Sequence, residues 1–148
     1  MAVEARVIDT NILVHAYTVA DERKHQTASS LVERVWAGEG GTTTLQNVCE
    51  FFFVVTRKVA RPVPVAVAEA VVRGILTGSQ WRVIDRSAGT VVKAIEVVRV
   101  YRAKFWDALI AASMLEHGVG TIVTENEQDF RRIPGITVVN PFKPRVLR

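Results

Sequence analysis

The chain has 148 residues, of which 49% are hydrophobic and 23% are charged. This length is near the commonest domain size and the apolar residues are enough to fill one core, so we expect one domain over residues 1–148. No uninterrupted apolar stretch approaches the roughly 18 residues of a membrane span, and no basic segment followed by a long apolar one opens the chain. These features argue against a membrane or secreted protein and predict a soluble protein of the cytoplasm.

Charge and cysteine content narrow the possible partners and chemistry. The net charge of +4 favours a polyanionic partner such as nucleic acid. Cys49 is the only cysteine, so neither an internal disulfide nor a cysteine-based zinc cluster can form, and a reducing compartment is expected. We expect Cys49 to be a small buried side chain without a catalytic part.

Strand-like and helix-like segments alternate along the chain. In chain order, the predicted elements are a strand at 5–9, helices at 11–18 and 22–37, a strand at 42–44, helices at 45–58 and 63–76, a strand at 81–84, helices at 87–102 and 106–117, and strands at 121–124 and 137–139. Such alternation favours a mostly parallel central sheet with helices on both faces. The predicted fold class is therefore a three-layer α/β/α domain.

Four acidic residues lie beside apolar or helical segments far apart in the chain: Asp9, Glu50, Asp107 and Asp129. Asp9 ends the first predicted strand, and Asp129 follows Asn126 in a predicted loop just past the fourth. In open parallel sheets, ligands bind beyond the carboxyl ends of the strands where the strand order reverses, so these groups converge if strands one and four are neighbours. Carboxylates are the ligands that Mg²⁺ and Mn²⁺ prefer, and the pattern predicts a metal site there.

Each acidic residue also has an ordinary structural explanation. Asp9 and Asp107 suit helix N-caps or first-turn acids. Glu50 suits a solvated helix face, and Asp129 a surface loop. Asp85 also ends a strand, but it precedes Ser87 and a long helix, where an acid usually caps backbone N–H groups, so it is left out of the site. The combination, rather than any single residue, indicates a site.

The histidines and three aromatic residues are expected to have structural rather than functional roles. The spacing of the histidines does not suit zinc, so structural or surface positions are expected for His15, His25 and His117. Tyr17 and Tyr101 are predicted to lie in the core or at its rim. The same is predicted for Trp106, rather than a platform for base stacking.

The motifs together resemble the PIN-domain ribonucleases, and among them the VapC-type toxins of bacterial and archaeal toxin–antitoxin pairs. They are Asp9-Thr10-Asn11 after the first strand, Glu50 in a helix, Trp106-Asp107-Ala108 at a helix start, and Thr124-Glu125-Asn126 followed by Asp129-Phe130. The resemblance runs from Val7 to about Val139. It implies that Asp9, Glu50 and Asp107 bind metal. The fourth position stays open between Asn126, where many family members have an acid, and Asp129.

The resemblance also implies an activity and partners. A PIN-like fold of this kind would hydrolyse RNA phosphodiesters as a metal-dependent endoribonuclease, with Mg²⁺ or, in its place, Mn²⁺ offsetting the phosphate charge and lowering the pKa of coordinated water. The products would carry a 5′-phosphate and a 3′-hydroxyl. A cognate antitoxin and a homodimer are the implied protein partners. Supporting roles are expected for Thr10, Asn11, Thr124 and Asn126, and contacts to the RNA backbone for Arg99, Arg102 and Lys104.

Other functions remain open. A non-toxin PIN-like nuclease of RNA processing has the same motifs, and a binding protein that keeps the fold without catalysis would be distinguished only by assay. An aspartate-dependent phosphatase would place its nucleophile at Asp9, but Asn11 stands where its second acid is expected. A nucleotide-binding module needs a glycine-rich turn after the first strand, and Asp9-Thr10-Asn11-Ile12 contains no glycine.

Overall fold

Short apolar segments separated by helical ones fold into a parallel sheet of five strands. The structure is a computed structural model that describes residues 4–144. The strands are β1 (Arg6–Ile8), β2 (Gly41–Thr44), β3 (Trp81–Ile84), β4 (Thr121–Val123) and β5 (Thr137–Val139). Their order across the sheet is β3-β2-β1-β4-β5, and every neighbouring pair is parallel. Strand order reverses at β1, whose two neighbours are β2 and β4.

In the described part of the chain, seven α-helices connect the strands. They are α1 (Thr10–Tyr17), α2 (Glu22–Arg34), α3 (Leu45–Arg57), α4 (Val65–Thr77), α5 (Ala88–Tyr101), α6 (Phe105–Glu116) and α7 (Glu127–Arg131). None of the helices within residues 4–144 is both long and apolar enough to cross a membrane.

Side chains alternate across the sheet and so build two cores. Val7 and Ile122 point into a core with α5 and α6, whereas their neighbours Ile8 and Val123 point into a second core with α1 to α4. Alternate strand residues face opposite layers, and both layers are helical. The predicted three-layer α/β/α class with a parallel central sheet is confirmed.

The first of two differences from the predicted elements is α7. The predicted loop around Asn126 and Asp129 contains this five-residue helix, which begins directly after Asn126. The sequence did not predict this helix because its residues are mostly polar. Phe130 is fully buried in the core beside α6 and fixes the helix to it.

The second difference lies at the end of α2, which was predicted to continue to residue 37. The regular helix ends at Arg34 and a wider π-helical turn, Val35–Glu39, follows. Gly38 adopts φ 120° within that turn, which side chains with a Cβ rarely adopt. The glycine therefore allows the chain to leave the helix and enter β2.

Two expectations about burial need correction. Cys49 is exposed rather than buried, because the core side of α3 is formed by Val48, Phe51 and Val55. Trp106 and Tyr101 were expected in the core or at its rim, but they are 60% and 41% exposed and lie at the surface.

Candidate active site

The carboxyl ends of β1 and β4 lie side by side, as required for the predicted site. The backbone N–H of Asp9 donates to the carbonyl of Val123 at 3.0 Å, which joins the two strand ends. A cavity of about 320 Å³ opens at this edge of the sheet. Its lining includes three of the four predicted acidic residues, namely Asp9, Glu50 and Asp107, and we call it the carboxylate cavity.

Asp9 is 6% exposed and held by four hydrogen bonds. Its Oδ1 accepts from the Thr10 N–H and from Asn47 Nδ2, both at 2.8 Å. Its Oδ2 accepts from Thr124 Oγ1 at 2.8 Å and from Asn11 Nδ2 at 3.2 Å. Burial raises the pKa of Asp9 and the nearby Glu50 charge adds to the effect, although the donors of Thr124, Thr10 and Asn47 act in the opposite direction. The carboxylate is thus fixed in orientation, and it also caps the N-terminus of α1.

Thr10 connects Asp9 to Glu50, because its backbone N–H donates to Asp9 and its hydroxyl donates to Glu50. Its Oγ1 accepts from Asn47 Nδ2 at 2.9 Å and donates to Glu50 Oε2 at 2.9 Å. The other oxygen of Glu50 accepts from Gln46 Nε2 at 3.0 Å. Glu50, half-buried on α3, is therefore tied to the end of β1 rather than solvated on a free helix face.

Asp107 lies in the first turn of α6 and is half-buried. Burial and repulsion from the Asp129, Asp9 and Glu50 carboxylates raise its pKa to about 6, with Lys104 acting against them. Lys104, not Asp107, is the N-cap residue of this helix. Asp107 is thus a first-turn acid that faces other negative charges, an arrangement typical of cation sites.

The two candidates for the fourth position occupy different places. Asn126 lines the carboxylate cavity, whereas Asp129 is not among its lining residues. Asp129 Oδ2 accepts from Lys104 Nζ at 3.1 Å. Burial raises the pKa of Asp129, but the nearby Asn126 amide and Lys104 ammonium outweigh burial and leave it below its usual value. Asp129 therefore forms part of the rim and acts on Asp107 through its charge.

The predicted basic contacts also differ from one another. Arg99, Arg102 and Lys104 are all exposed on the α5–α6 side. Lys104 alone pairs with an acidic residue of the site, through the Asp129 contact. Arg102 ends α5 in the left-handed conformation, φ 56°, which turns the chain toward α6.

Several polar residues of the site were not singled out from the sequence. Asn47 is completely buried on α3 and donates to both Asp9 and Thr10. A buried asparagine is unusual. The sequence indicates its role only through its position one helical turn before Glu50, on the same side of the helix. His15, expected to be structural, lines the carboxylate cavity, and its Nε2 lies 3.1 Å from Glu125 Oε1. Glu125 also accepts from Lys24 Nζ at 2.7 Å.

The donor set suits a hard, hydrated divalent cation. Asp9, Glu50 and Asp107 offer only oxygen, and their mutual repulsion is the kind of excess charge that a cation relieves. In the present conformation, no three Asp, Glu, His or Cys side chains of residues 4–144 are grouped closely enough to hold one ion between them. Mg²⁺ keeps several waters and needs only one or two direct carboxylates, so this spacing is compatible with a water-bridged ion.

Several solved structures with the same fold come from bacterial toxin–antitoxin systems. A toxin–antitoxin complex from Klebsiella pneumoniae shares 23% identity over 93% of this chain and 98% of the other, with a TM-score of 0.65. VapC20 of Mycobacterium tuberculosis, described as a sarcin–ricin-loop-cleaving toxin, shares 22% over 80% and 87%, with a TM-score of 0.60. VapBC2 of Rickettsia felis, bound to a DNA fragment from its promoter, shares 20% over 92% and 98%, with a TM-score of 0.65.

Comparison of sequences gives a family but no close relative. No curated protein matches the chain significantly. The model of the PIN domain matches residues 6–136, a range that includes every strand-end residue of the carboxylate cavity. Because that match covers most of the chain, this protein belongs to the PIN-domain family.

Proposed function

We propose that this protein is a metal-dependent endoribonuclease that acts as the toxin of a toxin–antitoxin pair. The observation that carries the proposal is the placement of Asp9, Glu50 and Asp107 around one cavity at the carboxyl edge of the sheet. Membership of the PIN-domain family supports the choice of a nuclease. The described activity of VapC20, which shares the fold, supports RNA as the substrate and the cytoplasm as the location.

Asp9, Glu50 and Asp107 would hold Mg²⁺, or Mn²⁺ in its place, and the ion would supply charge neutralisation at the phosphodiester and a water of lowered pKa. We assign the fourth position to Asn126, because its side chain belongs to the cavity lining. Asp129 would act from the rim, where Lys104 holds it. An amide at the fourth position leaves one negative charge fewer beside the incoming phosphate.

The remaining residues prepare the site before substrate arrives. Asn11, Asn47 and Thr124 donate to the oxygens of Asp9, and the Thr10 hydroxyl donates to Glu50. Such fixed geometry means that little reorganisation is required during the reaction. Exposed Arg99, Arg102 and Lys104 would bind the RNA backbone beside the cavity and counter the acidic residues.

One of these hydrogen bonds argues against an aspartate phosphatase. Such an enzyme would need a second acid at position 11, but Asn11 stands there and its Nδ2 donates to Asp9 Oδ2 at 3.2 Å. The absence of a phospho-aspartate after incubation with phosphate esters would confirm this reasoning.

Cleavage of RNA tests the proposal directly. The 5′ ends of cellular RNA are mapped after brief induction of the wild type, Asp9→Asn or Glu50→Gln, and cleavage by the purified proteins is measured with Mg²⁺, Mn²⁺ or EDTA. Glu96→Gln changes an exposed carboxylate on α5 and serves as the matched control. We expect each site variant to lose more than about 100-fold in rate, because groups that merely support a metal ligand already contribute about 10- to 100-fold.

The partner assignment needs a separate experiment. The proposed partners are an antitoxin encoded beside this chain and a second copy of the chain in a homodimer. Growth arrest on expression of the chain alone, and co-purification with the adjacent small protein, would support the toxin role. Cleavage without growth arrest or a stable partner would favour a nuclease of RNA processing instead.

A further inference from the structure

A second cavity, of about 500 Å³, adjoins the carboxylate cavity and shares Glu50 with it. Its walls include Gln46, Cys49, Glu50, Asp85, Arg86 and Trp106, and we call it the Trp106 cavity. The catalytic roles proposed above do not use Trp106, Arg86 or Cys49. The cavity lies at the carboxyl ends of β2 and β3, along the same sheet edge as the carboxylates.

The start of α6 places one side chain in each cavity. Successive helical residues point about 100° apart, and accordingly Trp106 lines one cavity while Asp107 lines the other. Gln46 connects the two, because its Nε2 donates to Glu50 Oε1 at 3.0 Å and to the backbone carbonyl of Trp106 at 3.3 Å. A ligand in the Trp106 cavity would therefore lie beside the carboxylates.

Trp106 presents a large apolar surface to solvent. The indole is 60% exposed and packs edge-on against Phe105, with ring centroids 5.1 Å apart and an interplanar angle of 71°. Burial of an exposed indole against a flat ring is favourable, and base–aromatic stacking contributes the equivalent of a five- to 150-fold gain in affinity, by the usual range of about 1–3 kcal/mol.

The charges around the cavity restrict what can stack there. Glu50 and Asp85 would repel a phosphate group, so the neutral part of a nucleotide fits better than its anionic part. An apolar side chain of a protein partner would desolvate Glu50, Asp85 and Arg86 without hydrogen bonds in return. A nucleobase offers donors and acceptors at its edge, and Arg86, Asp85 and the free Oε1 of Gln46 can pair with them.

We propose that the Trp106 cavity binds the nucleobase adjacent to the scissile phosphate, stacked on Trp106. This inference rests on the proposed ribonuclease function, since the phosphate of the same strand then lies in the carboxylate cavity. Trp106 would act by positioning the RNA strand, with Arg86 and Asp85 at the edge of the base.

An abasic scan tests the cavity independently of catalysis. Single-stranded RNAs of about 12 nucleotides, intact or with one base removed at each successive position, are titrated into the Asp9→Asn protein, which is expected not to cleave them. We expect one abasic position to weaken binding by about five- to 150-fold. In an Asp9→Asn, Trp106→Leu protein, the same abasic RNA should bind no worse than the intact RNA.

Fluorescence and a matched variant locate the effect. RNA should quench tryptophan emission in the Asp9→Asn protein, and the quenching should be lost with Trp106→Phe, which keeps a ring for stacking but removes the indole. Tyr101→Leu, an exposed aromatic on α5 that does not line the cavity, should behave like the parent. Equal abasic penalties with and without Trp106, or no position-dependent penalty, would overturn the proposal.

The exposed Cys49 provides a chemical probe of the same cavity. Alkylation with a bulky maleimide should remove the difference between intact and abasic RNA, while Cys49→Ser should be unaffected by the reagent. Retention of the difference after complete alkylation would overturn the placement of the base.

The outcomes separate this inference from the proposed function. Cleavage of intact RNA by the wild type without an abasic effect refutes the base cavity alone, whereas a Trp106-dependent abasic effect without cleavage refutes the nuclease and leaves a base-binding cavity with no scissile phosphate beside it. If Trp106→Leu leaves RNA binding unchanged but weakens binding to the antitoxin, Trp106 is a protein contact and the proposal is wrong.

Discussion

Replacement of Asp107 by asparagine should stabilise the metal-free protein near neutral pH. The ionised side chain is disfavoured by partial burial and by Asp129, Asp9 and Glu50, which raise its pKa from 3.8 to about 6. A pKa shift of this size corresponds to a free-energy penalty of about 3 kcal/mol on the charged form. Solvent around a half-buried carboxylate screens part of that penalty, and asparagine gives up about 0.5 kcal/mol of interaction with the dipole of α6. A net gain of about 1–2 kcal/mol is therefore expected for Asp107→Asn.

The stability difference between the wild type and Asp107→Asn should depend on pH, in a direction set by the raised pKa of Asp107. Because the folded-state pKa of this acid is raised, the folded state binds the proton more tightly than the unfolded state does. The penalty is therefore absent below the unfolded value of 3.8, grows between 3.8 and about 6, and is complete above about 6. The stabilisation by Asp107→Asn should accordingly be full at about pH 7.5 and vanish at about pH 3.5.

Urea unfolding in EDTA at several pH values measures the difference between the two proteins. Asp85→Asn is the matched control, because Asp85 is an exposed acid at the end of β3 whose side chain, among residues 4–144, accepts a hydrogen bond only from the Arg86 N–H, at 2.7 Å. Its effect should stay within about 0.5 kcal/mol at every pH. No gain for Asp107→Asn at about pH 7.5, or an equal gain at about pH 3.5, would refute the claim that uncompensated charge acts on Asp107.

Further expectations concern the rest of the site. Excess Mg²⁺ should stabilise the wild type against urea but not Asp107→Asn, and EDTA should abolish cleavage; full activity in EDTA would exclude the metal mechanism. Asn47→Ala should destabilise the protein by about 1–3 kcal/mol, measured by urea unfolding, since Asp9 and Thr10 lose a buried donor. Phe130→Ala should lower stability by about 3–5 kcal/mol and release α7 from the core, which hydrogen exchange would detect. Lys104→Met should weaken RNA binding and reduce the slope of log affinity against log salt concentration by about one; an unchanged slope would exclude Lys104 from the phosphate contacts.

The centre of the sheet was predictable from the sequence because its strands are short, mostly apolar and buried. All three residues of β4 are buried, as are Val7 and Ile8 of β1, and burial on both faces leaves few alternatives. The position of Asp9 followed from the end of the first such strand. Adjacency of β1 and β4, which brings Thr124 to Asp9, was a condition of the prediction and is met in the structure.

Features that depend on tertiary contacts were not predictable. Helix α7 forms because Phe130 has a core to enter, and a local polar pattern does not reveal that core. Asn47 gains its importance from two partners that are 38 and 37 residues away in sequence. Which of Asn126 and Asp129 faces the cavity depends on the orientation of α7, and no spacing rule determines it.

Asp9 has two roles, as a helix cap and as a charged group of the cavity, and replacement by asparagine affects them differently. It accepts the N–H of Thr10 as the N-cap of α1, and it is also the most buried carboxylate of the cavity. Asparagine is as good an N-cap as aspartate but carries no charge. A single Asp9→Asn change should thus abolish cleavage and keep the cap of α1, while its amide NH2 replaces one carboxylate oxygen and leaves the donors that face it without an acceptor. If the protein is a toxin, this variant would not harm the cell by its own activity. It would still bind the antitoxin, and it would thereby release active toxin present in the same cell.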